Sequence, residues 1–193
     1  MDKIRDSADI LQPEKEETYQ FIEKLLSSVK ENFSTNRVHL GMDEAVMLGL
    51  GNYLKENGYK KGSLIIREHC NRVVDICRKL ELKPMIWSDM YITANSTGGY
   101  YDLPENTDCS KWEKPKKDLG LVYWDYYHAD TRTYEKMLDI HAQLSDNVIF
   151  AGGSWIWNGI SPNYSKTYAC TKAALSTCKK YNIKEVHLYS MDG

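Results

Sequence analysis

The stretch from Arg37 to Glu44 reads RVHLGMDE, a short apolar run that ends in two adjacent carboxylates. An apolar, helix-like segment follows it at once. A β-strand has this pattern when it delivers acidic residues to the rim of an α/β sheet or barrel. The stretch therefore predicts a strand that runs directly into a helix.

Four more strand-like runs follow, so that strands start near residues 38, 85, 122, 148 and 186. Helical patterns precede or separate most of them, at about residues 13–33, 45–55, 63–82, 131–144 and 164–181. Alternation of this kind predicts parallel βα units. A doubly wound sheet also fits, but polar and aromatic residues crowd the C-terminal end of every strand, where barrels carry their active sites. We therefore predict an α/β fold of the (β/α)8 TIM-barrel type.

Five strands cannot close a barrel of eight, which usually takes roughly 250 residues. The 193-residue chain opens with a polar leader, residues 1–12, and ends on a strand without its helix. We expect one domain, residues 1–193, that is an incomplete barrel made of the C-terminal five βα units. A piece of this kind exposes two sheet edges, so self-association is also expected.

Composition excludes several classes of partner. With 25 basic against 27 acidic residues, the chain has no electrostatic reason to bind nucleic acid or an anionic membrane. No stretch approaches a membrane span or the apolar part of a signal peptide. The five cysteines form no metal-type pair, which predicts buried thiols in a reducing compartment, and we expect the cytoplasm. No metal or cofactor motif is present in the sequence, so we expect neither.

The pair Asp43-Glu44 is the first candidate for chemistry. Two neighbouring carboxylates at a strand-to-helix corner can divide labour, one staying ionised while the other keeps its proton. The competing interpretation is structural, with Asp43 capping the next helix and Glu44 in its first turn. This motif alone does not decide between them.

Three further strand ends are rich in aromatic side chains. Trp87 and Asp89 share one face of the second strand because strand side chains alternate. In the run from Trp124 to His128, Trp124 and Tyr126 share one face and Asp125 and Tyr127 share the other. Periodicity does not decide which pair faces the site, and we favour Trp124 and Tyr126. Gly152-Gly153 precedes Trp155 and lets the backbone approach a ligand closely.

A Trp or Asp at a strand end is often a core residue or a helix cap, but four such ends together predict a carbohydrate pocket. Aromatic faces pack on a pyranose ring while carboxylates hold its hydroxyls. The skewed aromatic content, with 14 Tyr and 5 Trp against 3 Phe, agrees with this interpretation.

The chain resembles glycoside hydrolase family 20, the β-N-acetylhexosaminidases. The family motif His-x-Gly-x-Asp-Glu, which ends the fourth barrel strand, stands here as residues 39–44. The likeness continues in register through residues 85–90, 123–127 and 152–155 and covers essentially the whole chain. It is greatest to compact, intracellular bacterial exo-enzymes that act on terminal GlcNAc or GalNAc.

The resemblance implies substrate-assisted retaining hydrolysis, in which no enzyme nucleophile is needed. Glu44 would be the general acid and later the base, and Asp43 would orient the 2-acetamido group that attacks the anomeric carbon. The substrate-binding residues implied are His39, Trp87, Asp89, Trp124, Tyr126 and Trp155, with Tyr126 as a donor to the acetamido oxygen.

Two departures from the family pattern stand out. The family places a Trp and, two positions later, an acidic residue at the eighth strand, where this chain has Tyr189 and Met191, with Asp192 the nearest acid. The Arg on the family's first strand has no counterpart. If the chain is complete as given, we expect weak or absent turnover.

Two other functions stay open at this point. One is a barrel glycosidase with a conventional pair, Glu44 and another strand-end carboxylate. The other is a catalytically silent, sugar-binding barrel fragment.

Overall fold

Five short runs rich in β-branched, aromatic and aliphatic residues form one parallel sheet. The computed structural model describes residues 2–157 and 159–190. Its strands are β1 (Arg37–His39), β2 (Lys83–Trp87), β3 (Gly120–Trp124), β4 (Val148–Ser154) and β5 (Val186–Ser190). Their order in the sheet is their order in the chain. A doubly wound sheet reverses its order at a switch point, so this topology is that of a barrel.

The described residues contain six α-helices, three of which pack closely against strands of the sheet. They are α1 (Glu16–Asn32), α2 (Asn52–Asn57), α3 (Gly62–Lys79), α4 (Asp89–Thr93), α5 (Thr131–Leu144) and α6 (Tyr164–Lys180), after a 3-10 turn at Asp2–Ile4. The four long helices bury one side each, and α3, α5 and α6 pack against β2, β3 and β4. Four of the five predicted helices are therefore confirmed, with ends shifted by up to three residues.

The fifth predicted helix, residues 45–55, is wrong. Turns occupy residues 46–49, the chain bends at residues 50 and 51, and helix begins only at Asn52. Gly49 adopts φ 73°, a left-handed conformation that interrupts a right-handed helix. At Gly51 a Cβ atom would lie 2.0 Å from the backbone oxygen of Asp6, so the chain passes too close for a side chain.

The leader that passes Gly51 is anchored by a buried carboxylate. Asp6 is 3% exposed, and its two oxygens accept hydrogen bonds from Gly49 N–H (2.8 Å) and Tyr53 N–H (2.7 Å). The bond to Tyr53 satisfies a free N–H in the first turn of α2. The polar leader therefore fixes the segment that follows Asp43 and Glu44 in the chain.

The sheet curls so that its inner face is partly enclosed. Met85, Val122, Ile149 and Ala151 form a small inner cluster, which is separate from the large core between sheet and helices. Arg37 at the start of β1 forms an ion pair with Glu185, just before β5. The five strands are thus an incomplete (β/α) barrel, as predicted.

All five cysteines are buried and free, which confirms the prediction of buried thiols. Within residues 2–157 and 159–190, no helix has the length and apolar character needed to cross a bilayer.

Candidate active site

Asp43 and Glu44 lie in an irregular loop at the C-terminal end of β1, and both side chains are exposed. Met42 (φ 67°) and Glu44 (φ 45°) hold left-handed backbone conformations that are uncommon outside glycine. Such strain persists where surrounding structure imposes it, and it clusters at functional sites. Because helix α2 begins only at Asn52, neither carboxylate caps a helix, and the structural interpretation of the pair is wrong.

Asp89 connects three strand ends. It is 3% exposed, and its Oδ2 accepts a hydrogen bond from Glu44 N–H at 2.8 Å. Its Oδ1 accepts a longer bond, 3.4 Å, from the indole N–H of Trp124. Burial raises the pKa of Asp89, while these two hydrogen bonds favour its charged form and oppose the rise. Asp89 therefore supports the backbone of Glu44 and the ring of Trp124, and each of its oxygens accepts one hydrogen bond from the protein.

His39, Trp87 and Tyr189 line the inner face above the small cluster. The rings of His39 and Trp87 are 4.4 Å apart between centroids, and those of Trp87 and Tyr189 are 5.5 Å apart. Gly41 N–H donates to His39 Nδ1, so the neutral ring carries its proton on Nε2. That Nε2 is buried without a partner among the described residues. Burial, followed by the proximity of His187, lowers the pKa of His39, so the ring stays neutral and its Nε2–H is an unpaired donor below the inner surface.

Trp124 lies between two tyrosine rings. It stacks on Tyr100 with centroids 5.1 Å apart and on Tyr126 at 5.8 Å. Tyr101 O–H donates to the backbone oxygen of Trp124 at 2.7 Å. Tyr100 and Tyr101 come from the loop between α4 and β3, within residues 93–117, a polar, Gly-rich stretch whose length makes it a candidate functional loop without pointing to particular residues. No periodic pattern there could have singled them out.

Tyr100 is itself held by a buried chain of hydrogen bonds. Its hydroxyl contacts Ser88 Oγ at 2.7 Å, and Ser88 Oγ contacts His141 Nε2 at 2.7 Å. His141 Nδ1 faces the backbone oxygen of Met137 at 2.6 Å and must donate to it. The direction of the whole chain follows: Ser88 donates to His141, and Tyr100 donates to Ser88.

Asp125 faces away from the inner side of the sheet. Its carboxylate accepts from Tyr123 O–H (2.9 Å), from Tyr127 N–H (2.9 Å) and from the His128 ring at 2.8 Å. These bonds fix the turn that follows β3. Trp124 joins the inner cluster and stacks on Tyr126, so the structure places the favoured pair on the inner side.

The Trp residues after β4 differ in what they can contact. Trp155 is 7% exposed, its indole N–H donates to the backbone oxygen of Tyr126, and the Lys166 ammonium lies 3.6 Å from its ring centroid. Trp157 is half-buried and packs against Tyr126 at 5.6 Å. Trp157 was not among the predicted site residues, and because β4 ends at Ser154, strand alternation does not determine where either Trp side chain points.

Gly153 makes room for this aromatic contact. A Cβ atom there would lie 2.9 Å from both Tyr126 Cδ1 and Trp157 Cη2. We predict that Gly153→Ala displaces both rings and weakens ligand binding by about fivefold to 150-fold, since overpacking of a well-packed site costs about 1–3 kcal/mol. Calorimetric titration with an N-acetylglucosamine-derived inhibitor measures this.

Gly98→Ala is the control for Gly153→Ala, because its added Cβ meets only ordinary contacts, 3.5 Å or longer. Equal affinity in the two variants contradicts the role given to Gly153.

Of the four carboxylates that directly follow β1, β2 and β3 in the described residues, two are exposed and two are buried. Asp43 and Glu44 are exposed, whereas Asp89 and Asp125 are buried, and both oxygens of each accept hydrogen bonds from the protein. Met191 and Asp192, at the end of β5, lie outside the described residues. Among the residues described, no group of three or more His, Cys, Asp or Glu could hold a metal ion.

A family model described as "Glycosyl hydrolase family 20, catalytic domain" matches residues 2–147, about three quarters of the chain. The match includes Asp43, Glu44, Trp87 and Asp89 together with the run after β3, and it ends just before β4. No curated protein matches the chain.

Proposed function

This chain belongs to glycosyl hydrolase family 20, and from that premise we propose that it is an exo-β-N-acetylhexosaminidase domain. The proposed substrate is a glycan with GlcNAc or GalNAc at its non-reducing end. The proposed mechanism is retaining hydrolysis in which the substrate's own acetamido group is the nucleophile.

The roles divide between the two exposed carboxylates. Glu44 gives its proton to the glycosidic oxygen as the bond from that oxygen to the anomeric carbon breaks. The acetamido carbonyl oxygen, oriented by Asp43, forms a new bond to the same carbon and gives an oxazolinium ion. Glu44 then takes a proton from the water that opens this ion, which restores both the substituent and the acid.

One observation favours this mechanism over the conventional scheme, in which the enzyme supplies two carboxylates. A retaining enzyme with its own nucleophile needs a second free carboxylate about 5–5.5 Å from the acid, on the other side of the sugar. Asp89 and Asp125 occupy the neighbouring strand ends, but both are buried and their oxygens accept bonds from the protein. The exposed carboxylate that remains at these strand ends besides Glu44 is that of Asp43, and Asp43 is the neighbour of Glu44 in the chain.

The aromatic residues supply the sugar platform. The stack of Tyr100, Trp124 and Tyr126 offers a rigid edge and face beside the carboxylates. Trp87, which packs against the ring of His39, extends it toward β1. Flat rings with polar edges suit the apolar face of an N-acetylated pyranose.

A thiazoline analogue of the oxazolinium intermediate tests the proposal. We expect the chain to bind it in calorimetric titration, and to bind glucose-configured analogues without the acetamido group far more weakly. Cleavage of an aryl glucoside as readily as the aryl N-acetylglucosaminide, without thiazoline binding, contradicts substrate assistance. Thiazoline binding with no hydrolysis of any N-acetylhexosaminide supports the silent sugar-binding alternative.

We also propose that the protein works in a reducing compartment such as the cytoplasm. Five thiols that are buried and unpaired support this, because an oxidising compartment favours pairing. Cell fractionation tests it, and recovery of the protein only outside the cytoplasm contradicts it.

A further inference from the structure

A cavity of about 370 Å³ opens beside Glu44, on the side where helix α4 lies. We call it the side pocket. Its walls include Glu44, Val46, Leu48, Met90, Ala94 and Trp124. We propose that the side pocket holds the leaving group of the substrate, and that it takes a flat, apolar aglycone such as an aryl group rather than a second sugar. This inference rests on the function proposed for Glu44.

The position of the side pocket fits a leaving group. Glu44 must reach the glycosidic oxygen, which joins the departing group to the sugar. Glu44 and Trp124 line the side pocket, and Trp124 also belongs to the aromatic stack proposed to hold the sugar. When Glu44 donates its proton, the oxygen keeps the bonding electrons and leaves as a neutral alcohol or phenol into the adjoining space.

The chemistry of the walls selects an apolar group. The side-chain polar atoms of the pocket other than the Glu44 carboxylate already have partners in the protein. Asp89 accepts from Glu44 N–H and from Trp124, Thr93 donates to the backbone oxygen of Asp89, and Tyr100 bonds Ser88. A second pyranose would bring hydroxyls into a site with few free partners, and an unpaired buried hydroxyl costs affinity. An aryl ring brings no such cost.

The rim of the side pocket shows the same preference. Val46 is 83% exposed and Met47 is 50% exposed, although both are apolar and follow Glu44 almost directly. Adjacent exposed apolar side chains beside a cavity are typical of a ligand-binding edge. A bound aryl group would cover Val46, which lines the pocket.

Binding of 2-naphthol, an aglycone without its sugar, tests the inference independently of turnover. We expect saturable binding to the chain by calorimetry, both alone and in the presence of saturating thiazoline, since the two ligands occupy adjacent sites. Ala94→Phe fills the side pocket and should weaken naphthol at least about tenfold. Val46→Ser removes two methyl groups at the exposed rim, where folding is not at risk, and should weaken it about threefold to fivefold.

Ala129→Phe is the matched control, because Ala129 is exposed after β3 and does not line the side pocket. Its naphthol affinity should equal that of the unaltered chain. Three results would each overturn the inference. The first is that naphthol does not bind, and the second is that thiazoline displaces it. The third is that Ala94→Phe, Val46→Ser and the control all bind naphthol with equal affinity. Naphthol binding that obeys these variants while thiazoline fails to bind overturns the proposed function and the leaving-group role, and leaves only an apolar ligand site.

Discussion

Glu44→Gln lowers the hydrolysis of 4-methylumbelliferyl N-acetylglucosaminide by roughly 10² to 10⁴-fold, the usual contribution of a general acid. The amide keeps the size of the side chain and removes the proton that the leaving oxygen needs. Glu44 is exposed, so the change should leave the fold intact. Initial rates with the fluorogenic substrate, at enzyme concentrations that reveal weak turnover, measure the loss.

The leaving group provides the internal control for this result. A 2,4-dinitrophenyl glycoside departs without protonation, so its glycosylation step should lose far less in Glu44→Gln than that of the methylumbelliferyl compound. Glu31→Gln, on the exposed side of α1, should leave both rates unchanged. If Glu44→Gln hydrolyses the methylumbelliferyl compound at an unchanged rate, Glu44 is excluded as the acid. The same conclusion follows if the rate of the glycosylation step falls equally for both substrates.

Lowering the pH from 7 to 4 should cost about 3 kcal/mol of folding free energy through His141 alone. His141 is fully buried, and burial lowers its pKa from 6.5 to about 4. In the unfolded chain this imidazole is protonated below about pH 6.5, whereas in the native protein it stays neutral until about pH 4. The stability is therefore present above pH 6.5 and is lost as the pH falls through this window.

Urea unfolding at pH 7, 5.5 and 4 measures the effect, with His141→Gln for comparison. The amide oxygen keeps an acceptor for Ser88 Oγ, and glutamine does not titrate. Although this variant starts from lower stability, its free energy of unfolding should fall less steeply as the pH is lowered. The two slopes should differ by the amount that corresponds to binding up to one proton, about 1.4 kcal/mol per pH unit. Parallel curves for the two proteins would show that His141 does not titrate as stated.

Much of the architecture was predictable because it depends on local pattern. Apolar runs and turn residues located all five strands, and amphipathic spacing located the four long helices. The helix predicted at residues 45–55 failed because Gly49 needs a left-handed backbone and Gly51 meets Asp6, more than 40 residues away in the chain. An apolar pattern does not report either constraint.

The candidate site was predictable in its residue types and less so in their contacts. The motif ending in Asp43-Glu44 identified the family, and strand alternation placed Trp124 and Tyr126 together. Alternation could not show that both Asp89 oxygens bond within the protein, because Glu44 is 45 residues away. Nor could it show that Lys166 covers Trp155, a contact that depends on how α6 packs.

The strand order described above also bears on how the chain folds. Each strand pairs with its predecessor or successor in the chain, so the sheet can grow one βα unit at a time without closing very long loops. The bonds from Asp6 to Gly49 and Tyr53 span 43 and 47 residues and enclose α1 and β1. Pairing of β1 with β2 closes a loop of the same length, since Arg37 lies beside Lys83, so we expect the Asp6 contacts to form together with the first strand pair. The segment beside the proposed acid, Glu44, would then become rigid and open as one cooperative unit with the leader and β1.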